Sequence, residues 1–303
     1  MNTKHARYIM TILEKGSITA AAKDLFISQP ALSQTIKTVE ETLGSPIFDR
    51  SNGQMKLTPV GERYIDSMRE IMTIERNMMT EISEMKNDHR ATLHIGISTQ
   101  RSISTLPQIL PEFIKKYPRV SIKLTGLPSV RLEKFLVDGG CDVAFITTTA
   151  KQNDIEYRLL ENEQIVLLAS NQTRLAQTVG HGTEIELSAA KDEFFVNLSP
   201  GHSVRAIQDH LANLCHFQPR VLLELFSMEA AKLITPQLGA VMVCPYSYIQ
   251  GDTRIEKLTT CYPLRCHGFE RHFYFCHSKK LRLPAYIRDL YDIARSKCLS
   301  HKM

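Results

Sequence analysis

Apolar side chains in the first sixty residues recur with helical spacing in two short bursts. Ile18, Ala21, Ala22 and Leu25 form one stripe, and Leu32, Ile36, Val39 and Leu43 form the next. Intervals of three and four place each set on one helix face. The alanines keep the first stripe small, so the second helix can approach closely, and Phe26 and Ile27 make the connection. Ser28 suits an N-cap, since its hydroxyl accepts a first-turn N–H. Pro30 falls in the first turn, where a missing N–H costs nothing. Gly44 closes the second helix. Ile47-Phe48 and Lys56-Leu57-Thr58 then read as two short strands around Ser51-Asn52-Gly53, a hairpin signal.

From Pro59 to residue 88 there is no other proline and no glycine after Gly61. Tyr64, Met68, Ile71, Met78, Ile82 and Met85 follow at helical spacing, interrupted by Glu75, and a second register runs through Ile65, Met68, Met72, Met79 and Ile82. About 27 helical residues span roughly 40 Å, longer than a compact domain needs. A pairing seam for a second copy is therefore expected along Met68, Ile71, Met78, Ile82 and Met85. The competing reading is a helix packed along its own domain.

After Thr92 the pattern changes to alternating strands and helices. Leu93–Ile97 predicts a strand, 104–117 a helix, Val120–Leu124 a strand, 129–138 a helix and Asp142–Ile146 a buried strand. A second set follows a strand at Gln164–Ala169: a strand at Phe194–Val196, a helix at 203–214, a strand at Val221–Leu225, a helix at 228–235 and a strand at Ala240–Val243. Phe269–Cys276 and a helix at 284–298 return to the first set. Such repetition builds parallel sheets through right-handed crossovers. The expectation is an α/β protein in three parts. They are an all-α head with a small hairpin at 1–60, a linker helix at 61–90, and a two-lobed α/β domain at 91–303. Lobe I takes 91–165 and 268–303, and lobe II takes 166–267.

Composition narrows the function class. The 303 residues are 43% hydrophobic and 23% charged, ordinary for a soluble globular protein. No run approaches the roughly 20 apolar residues of a membrane span. Met-Asn-Thr-Lys-His-Ala-Arg at the start lacks an apolar signal core, so a cytoplasmic location is expected and membrane association is not. The net charge is +5, yet residues 1–60 hold seven basic side chains against five acidic. Charge therefore does not locate a nucleic-acid site, although a dimer would double the weak positive face. The seven cysteines form no even, closely spaced framework, and a cytosolic address implies free thiols. Cys261, Cys266, His267, Cys276 and His277 lie near one another in sequence, but their spacing is not that of a zinc site. No metal and no cofactor is expected. A Ser-His-Asp order, a glycine-rich phosphate loop and a carboxylate pair are all missing, which argues against an enzyme.

Residues 17–61 resemble the N-terminal winged helix-turn-helix of the LysR-type transcriptional regulators. The resemblance is carried by Ala21-Ala22, Leu25, Ser28-Gln-Pro-Ala-Leu-Ser33, Ile36, Leu43-Gly44, Ile47-Phe-Asp-Arg50, Leu57-Thr58 and Gly61. It implies DNA contacts from Ser28, Gln29, Pro30, Ser33, Gln34 and Lys37 on the recognition helix and from Arg50 in the wing. One position departs from the pattern: many members carry arginine where this chain has Gln34. Arginine favours guanine and glutamine favours adenine, so a guanine contact does not carry over. The resemblance also implies an antiparallel pairing of the linker helix and a homodimer or homotetramer. The double-stranded partner would be a pseudo-palindromic promoter element, with RNA polymerase nearby. The two-lobed half resembles the family's periplasmic-binding-protein-like effector domain. A peroxide-sensing branch carries a cysteine soon after a Gly-His pair and another nine residues on. Here Gly201-His202 is followed by Ser203 and Ala212, so that mechanism is not expected.

In open α/β sheets, ligands gather at strand C-terminal ends and helix starts. Here those points are rich in hydroxyls: Ser98, Thr99, Gln100, Arg101 and Ser102; Thr147 and Thr148; and Ser199, Gly201, His202 and Ser203. Each alone is readily explained as a helix cap. Three clusters at equivalent ends suggest an anion cradle. By the resemblance, an effector sits between the lobes on these loops, with Pro128, Ser129, Phe226 and Pro245 as walls. Arg101 and His202 point to a small anionic, carboxylate-bearing metabolite. The function expected is a transcriptional regulator whose promoter binding answers to that effector. A cysteine-based redox regulator and a small-molecule binding protein without DNA binding remain as alternatives.

Overall fold

In the computed structural model the described residues are 2–49, 55–85, 91–149, 151–265 and 271–299. The chain divides into two compact units, residues 1–88 with 280–282, and residues 89–279 with 283–303. In the first unit, α1 (Thr3–Lys15), α2 (Ile18–Asp24) and α3 (Gln29–Leu43) precede a hairpin of β1 (Phe48–Asp49) and β2 (Lys56–Leu57) and the long α4 (Pro59–Met85). Helix α1 stands before the pair expected from the sequence. Asn2 caps it by accepting the Lys4 N–H at 2.9 Å, and its buried stripe is Ala6, Ile9 and Ile12. These side chains meet Ala21, Ala22, Leu32, Ile36 and Val39 in one core, closed by Ile47, Phe48, Tyr64, Ile65 and Met68.

The second unit holds two five-stranded sheets. Lobe I begins with β3 (Ala91–Ile97), α5 (Thr99–Lys116), β4 (Val120–Gly126), α6 (Ser129–Val137), β5 (Val143–Thr148) and β6 (Ile155–Glu163). Lobe II runs through β7 (Ile165–Ser170), α7 (Arg174–Thr178), β8 (Phe194–Leu198), α8 (Ser203–Leu214), β9 (Arg220–Leu225), α9 (Met228–Ile234), β10 (Val241–Pro245), α10 (Thr253–Glu256) and β11 (Thr259–Pro263). The chain then returns to lobe I with β12 (Arg271–Ser278) and α11 (Ala285–Leu299). Strand orders are β4-β3-β5-β12-β6 and β11-β7-β10-β8-β9. Strand β3 is parallel to β4 and β5, and β8 is parallel to β9 and β10. The C-terminal ends of these parallel strands therefore share one edge in each lobe.

Beyond α1 and the short α7 and α10, three further elements differ from the sequence expectation. Helix α5 starts at Thr99 rather than 104, because Ser98 caps it by accepting the Arg101 N–H at 3.3 Å. Strands β6 and β11 were not expected. β6 is an edge strand paired only with β12, and its charged residues Arg158, Glu161 and Glu163 obscure the alternation. Among the described residues, no helix is long and apolar enough to cross a membrane.

Gly61 shows how tightly the first unit closes. Thr58 accepts the Gly61 N–H at 3.0 Å and donates its hydroxyl to the Pro46 carbonyl at 2.7 Å. A Cβ on Gly61 would lie 2.2 Å from the Ile47 carbonyl oxygen. That neighbour is backbone and cannot swing aside. Gly61→Ala is expected to destabilise this unit by about 1–3 kcal/mol, read as a lower urea midpoint by helical circular dichroism.

Candidate nucleic-acid interface and inter-lobe site

The polar side of α3 is the side its core leaves free. Leu32, Ile36 and Val39 are buried, and Gln29, Pro30, Gln34 and Lys37 are exposed on the far side, with Ser33 half-exposed. Ser28 caps the helix by accepting the Ala31 N–H at 3.3 Å. Gln29 donates its side-chain amide to the Ser33 hydroxyl at 2.9 Å. Lys37 faces Glu41 at 3.7 Å, an exposed pair worth little and readily exchanged for a phosphate. Arg50 lies outside the described residues.

The turn leading into α3 has a distinct geometry. The Ile27 N–H reaches the Ala22 carbonyl at 3.0 Å and the Phe26 N–H reaches the Lys23 carbonyl at 3.2 Å. This is the Schellman closure of α2. Phe26 sits at φ 55°, a left-handed conformation that costs an L side chain about 1 kcal/mol.

Along α4 the expected pairing seam divides. Met68 is 1% exposed and belongs to the core of its own unit, which corrects the expectation that it pairs with a second copy. Ile71, Ile74, Met78 and Met79 are exposed, and Ile82 is half-buried. Met85 ends the helix.

In the second unit the hydroxyl clusters take the places expected of them. Ser98 and Thr99 follow β3, Ser129 opens α6 after β4, and Thr147 and Thr148 end β5. The Thr99 hydroxyl would lie 3.4 Å from a Cβ on Gly126, at the end of β4. Ser102 turns its hydroxyl back to the Thr99 carbonyl at 2.6 Å, and Gln100 is half-exposed. The Thr147 hydroxyl is buried without a hydrogen-bond partner among the described residues. In lobe II, Ser199 and Gly201 lead into α8, where the His202 imidazole caps the helix by accepting the Val204 N–H through Nδ1 at 3.2 Å. Burial, and then the nearby Arg271, hold the His202 pKa below the ordinary histidine value. Pro245 is buried at the end of β10. Phe226 is 88% exposed beyond β9.

Arg101 does not bring a free charge to the cleft, which corrects the basis on which it was chosen. It is 3% exposed. One Nη donates to Glu161 at 3.0 Å and lies 3.3 Å from Glu163, and the other donates to the Ser247 hydroxyl at 2.8 Å. Its guanidinium carbon stacks 3.6 Å from the Phe273 ring centre. Burial opposes the charge, but Glu163, Tyr248 and Glu161 together hold Arg101 above its ordinary value. Arg271 completes the arrangement, with Nε 2.6 Å from Glu163 and Nη1 donating to the Ser203 hydroxyl at 3.2 Å. Glu163, whose side chain is 0% exposed, therefore bridges two arginines of lobe I, and each arginine reaches one serine of lobe II. Burial, followed by Glu163, pushes the Tyr248 hydroxyl up to about 12. Glu161, Glu163, Arg271, Ser247 and Tyr248 were not anticipated from sequence. Their signal is three ionisable side chains in strands that otherwise bury apolar residues.

Of the cysteines, Cys298 lies near enough to this network to feel Arg101 and Glu161. Cys261 is on β11 in one sheet and Cys276 on β12 in the other. Burial pushes the Cys261 thiol up to about 12 and also raises those of Cys244, Cys276 and Cys298, which disfavours the reactive thiolate. Cys266 and His267 lie outside the described residues.

A helix-turn-helix head and a two-sheet α/β domain together define a DNA-binding regulator with a sensing domain. The comparisons agree. The profile of the LysR substrate binding domain matches residues 86–299, and that of the bacterial regulatory helix-turn-helix proteins of the lysR family matches residues 3–62. A Bacillus subtilis relative, the uncharacterized HTH-type transcriptional regulator YcgK, is 27% identical over 80% of this chain and 79% of its own. A full-length OxyR variant from Pseudomonas aeruginosa shares the fold, with a TM-score of 0.72 and 22% identity over 97% of this chain and 95% of that one. The Synechocystis CcmR regulatory domain, solved in complex with 2-PG, matches with a TM-score of 0.57 and 20% identity over 70% of this chain and 99% of that one. The chain belongs to the LysR family: it is a DNA-binding transcriptional regulator with an effector-binding domain, and not an enzyme.

A buried and an exposed ion pair are expected to respond differently to substitution. Glu163→Gln leaves two buried arginines short of a carboxylate and is expected to lower the stability of the second unit by about 3–5 kcal/mol. Arg265→Ala, which removes an exposed partner of Glu184 and Glu186, is expected to cost less than about 1 kcal/mol; chemical denaturation of both variants checks the contrast. His202 and His277 are both held below the ordinary histidine value, chiefly by burial. In the unfolded chain each binds its proton near pH ~6.5, before the folded chain does. Stability is therefore full above that pH and falls as the pH drops toward the folded values. Urea midpoints at neutral and mildly acidic pH check this, and His202→Asn is expected to shrink the difference.

Proposed function

We propose that the protein works in the cytoplasm as a dimer or tetramer on a pseudo-palindromic promoter element, beside RNA polymerase. In this reading Ser28, Gln29, Pro30, Ser33, Gln34 and Lys37 make the DNA contacts, joined by Arg50. The observation that carries it is the free polar face of α3 opposite Leu32, Ile36 and Val39. Gln34 favours an adenine edge. Copies pair through the exposed stretch of α4 around Ile71, Met78 and Ile82, continuing to Met85. Methionine contacts tolerate small changes of angle.

A small carboxylate-bearing effector occupies the cleft between the lobes of the second unit. It is held by Ser98, Thr99, Gln100, Ser102, Ser129, Thr147 and Thr148 on one side and by Ser199, Gly201, His202 and Ser203 on the other. With Arg101 neutralised by Glu161 and Glu163, the support comes from the hydroxyls and helix starts, and from the unpartnered Thr147 hydroxyl. That the similarly folded CcmR domain was solved with 2-PG supports a small ligand in this half of the chain. Such an effector acts by favouring one arrangement of the domain over another.

A thermal-shift screen against small carboxylates, amino acids, aromatic acids, sulfate and phosphate tests the effector. A true ligand at ~100 times its Kd adds roughly 2.7 kcal/mol, and Thr99→Ala is expected to abolish the gain. Equal shifts from uncharged analogues would overturn the carboxylate assignment. An anion seated at the start of α8 should also raise the His202 pKa, the reverse of its unliganded displacement, as followed by NMR titration. For the DNA contacts, Ser33→Ala combined with Gln34→Ala is expected to remove selective promoter binding while leaving a salt-sensitive, non-selective remainder.

A further inference from the structure

We infer that Phe26 is itself a DNA-contacting residue, its phenyl ring packing against the deoxyribose of the duplex backbone beside the first turn of α3. The inference rests on the reading of α3 as the groove-facing helix. Phe26 takes the position that closes the Schellman turn after α2, at φ 55°, a place normally filled by glycine. A phenylalanine there is unfavourable on two counts. Its backbone is strained, and its ring is 94% exposed, the largest exposure of any large apolar side chain among the described residues.

Packing does not explain the choice. The neighbours Leu25 and Ile27 turn inward against the core of the unit while Phe26 does not join it. The ring lies two residues before the Ser28 cap and three before Gln29, so its Cα is within about 11 Å of the Gln29 Cα. Exposed Lys23 lies on the same turn. A duplex whose groove receives α3 brings its backbone past this corner, where Lys23 meets phosphate and the ring covers the apolar face of a sugar. A phenyl group has no hydrogen-bonding atom with which to read a base edge, so its contribution is to affinity rather than sequence choice.

The test uses the full-length protein with two duplexes: one selected by the wild-type protein from a random pool, and a scrambled duplex of equal composition. Phe26→Gly removes the ring and relieves the positive φ, so the fold is expected to be as stable as wild type or more so by thermal melting. Its affinity for both duplexes is expected to fall about fivefold to twentyfold, with the dependence of Kd on salt unchanged because no charge is lost. Phe26→Tyr should retain most of the affinity. Unchanged binding by Phe26→Gly would overturn the inference. Weakening on the selected duplex alone would reassign the ring to a base. A change in oligomeric state without DNA, seen by analytical ultracentrifugation, would make it a contact between copies. Ser33→Ala combined with Gln34→Ala serves as the parallel control. If that variant keeps its selectivity, the reading of α3 has failed, whatever Phe26 does.

Discussion

A carboxylate with no exposed surface lies between two guanidinium groups where the lobes of the effector domain meet, and the architecture of that domain depends on it. Glu163 holds Arg271 at 2.6 Å and Arg101 at 3.3 Å. A single buried charge is too costly to keep, and a pair is tolerated when further hydrogen bonds satisfy most of its remaining donors and acceptors; here the Arg101 Nε is left without a hydrogen-bond partner among the described residues. Glu161 takes the second half of the Arg101 charge, Phe273 covers its face, and Ser247 and Ser203 take the outward donors. Two arginines and two glutamates sum to zero, so the cleft carries little net field from this source. The chemistry left for a ligand is that of hydroxyls and helix starts.

In the N-terminal unit the governing constraint is closeness rather than charge. Ala21 and Ala22 let α2 approach α1 and α3, and Gly61 lets the start of α4 lie on the Ile47 carbonyl. With the first turns of α4 contributing Tyr64, Ile65 and Met68 to the same core, the head does not end where the hairpin ends. The long helix is rooted in the fold that presents α3, and the apolar side chains Ile71, Ile74, Met78 and Met79 are exposed along its later turns.

Much of this was legible in sequence where a local rule decided the outcome. The stripe of α3, its Ser28 cap and its Gly44 close are set by residues a few positions apart, and the parallel strands follow from compact apolar runs. The failures share a cause. Helix α1 carries the same periodicity at Ala6, Ile9 and Ile12, but stands outside the motif that drew attention to α2 and α3. Strand β6 mixes apolar and ionisable side chains because one of its faces supplies the bridge. Arg101 looked like a ligand because the glutamates that neutralise it lie some sixty residues away in sequence. Met68 looked like a seam residue because periodicity alone cannot tell which of two partners covers a helix face.

The two hands that cross between the lobes end on serines, not on carboxylates. Each is a charge-assisted bond to a neutral hydroxyl, worth about 1.5–3 kcal/mol, while the ionic bridge itself stays within lobe I. Loosening one lobe from the other therefore need not separate the buried charges. Parting the lobes at these two points costs only those outer bonds, a few kcal/mol in all. The joint between the lobes can therefore give without an unfolding step: a catch mounted on a fixed post.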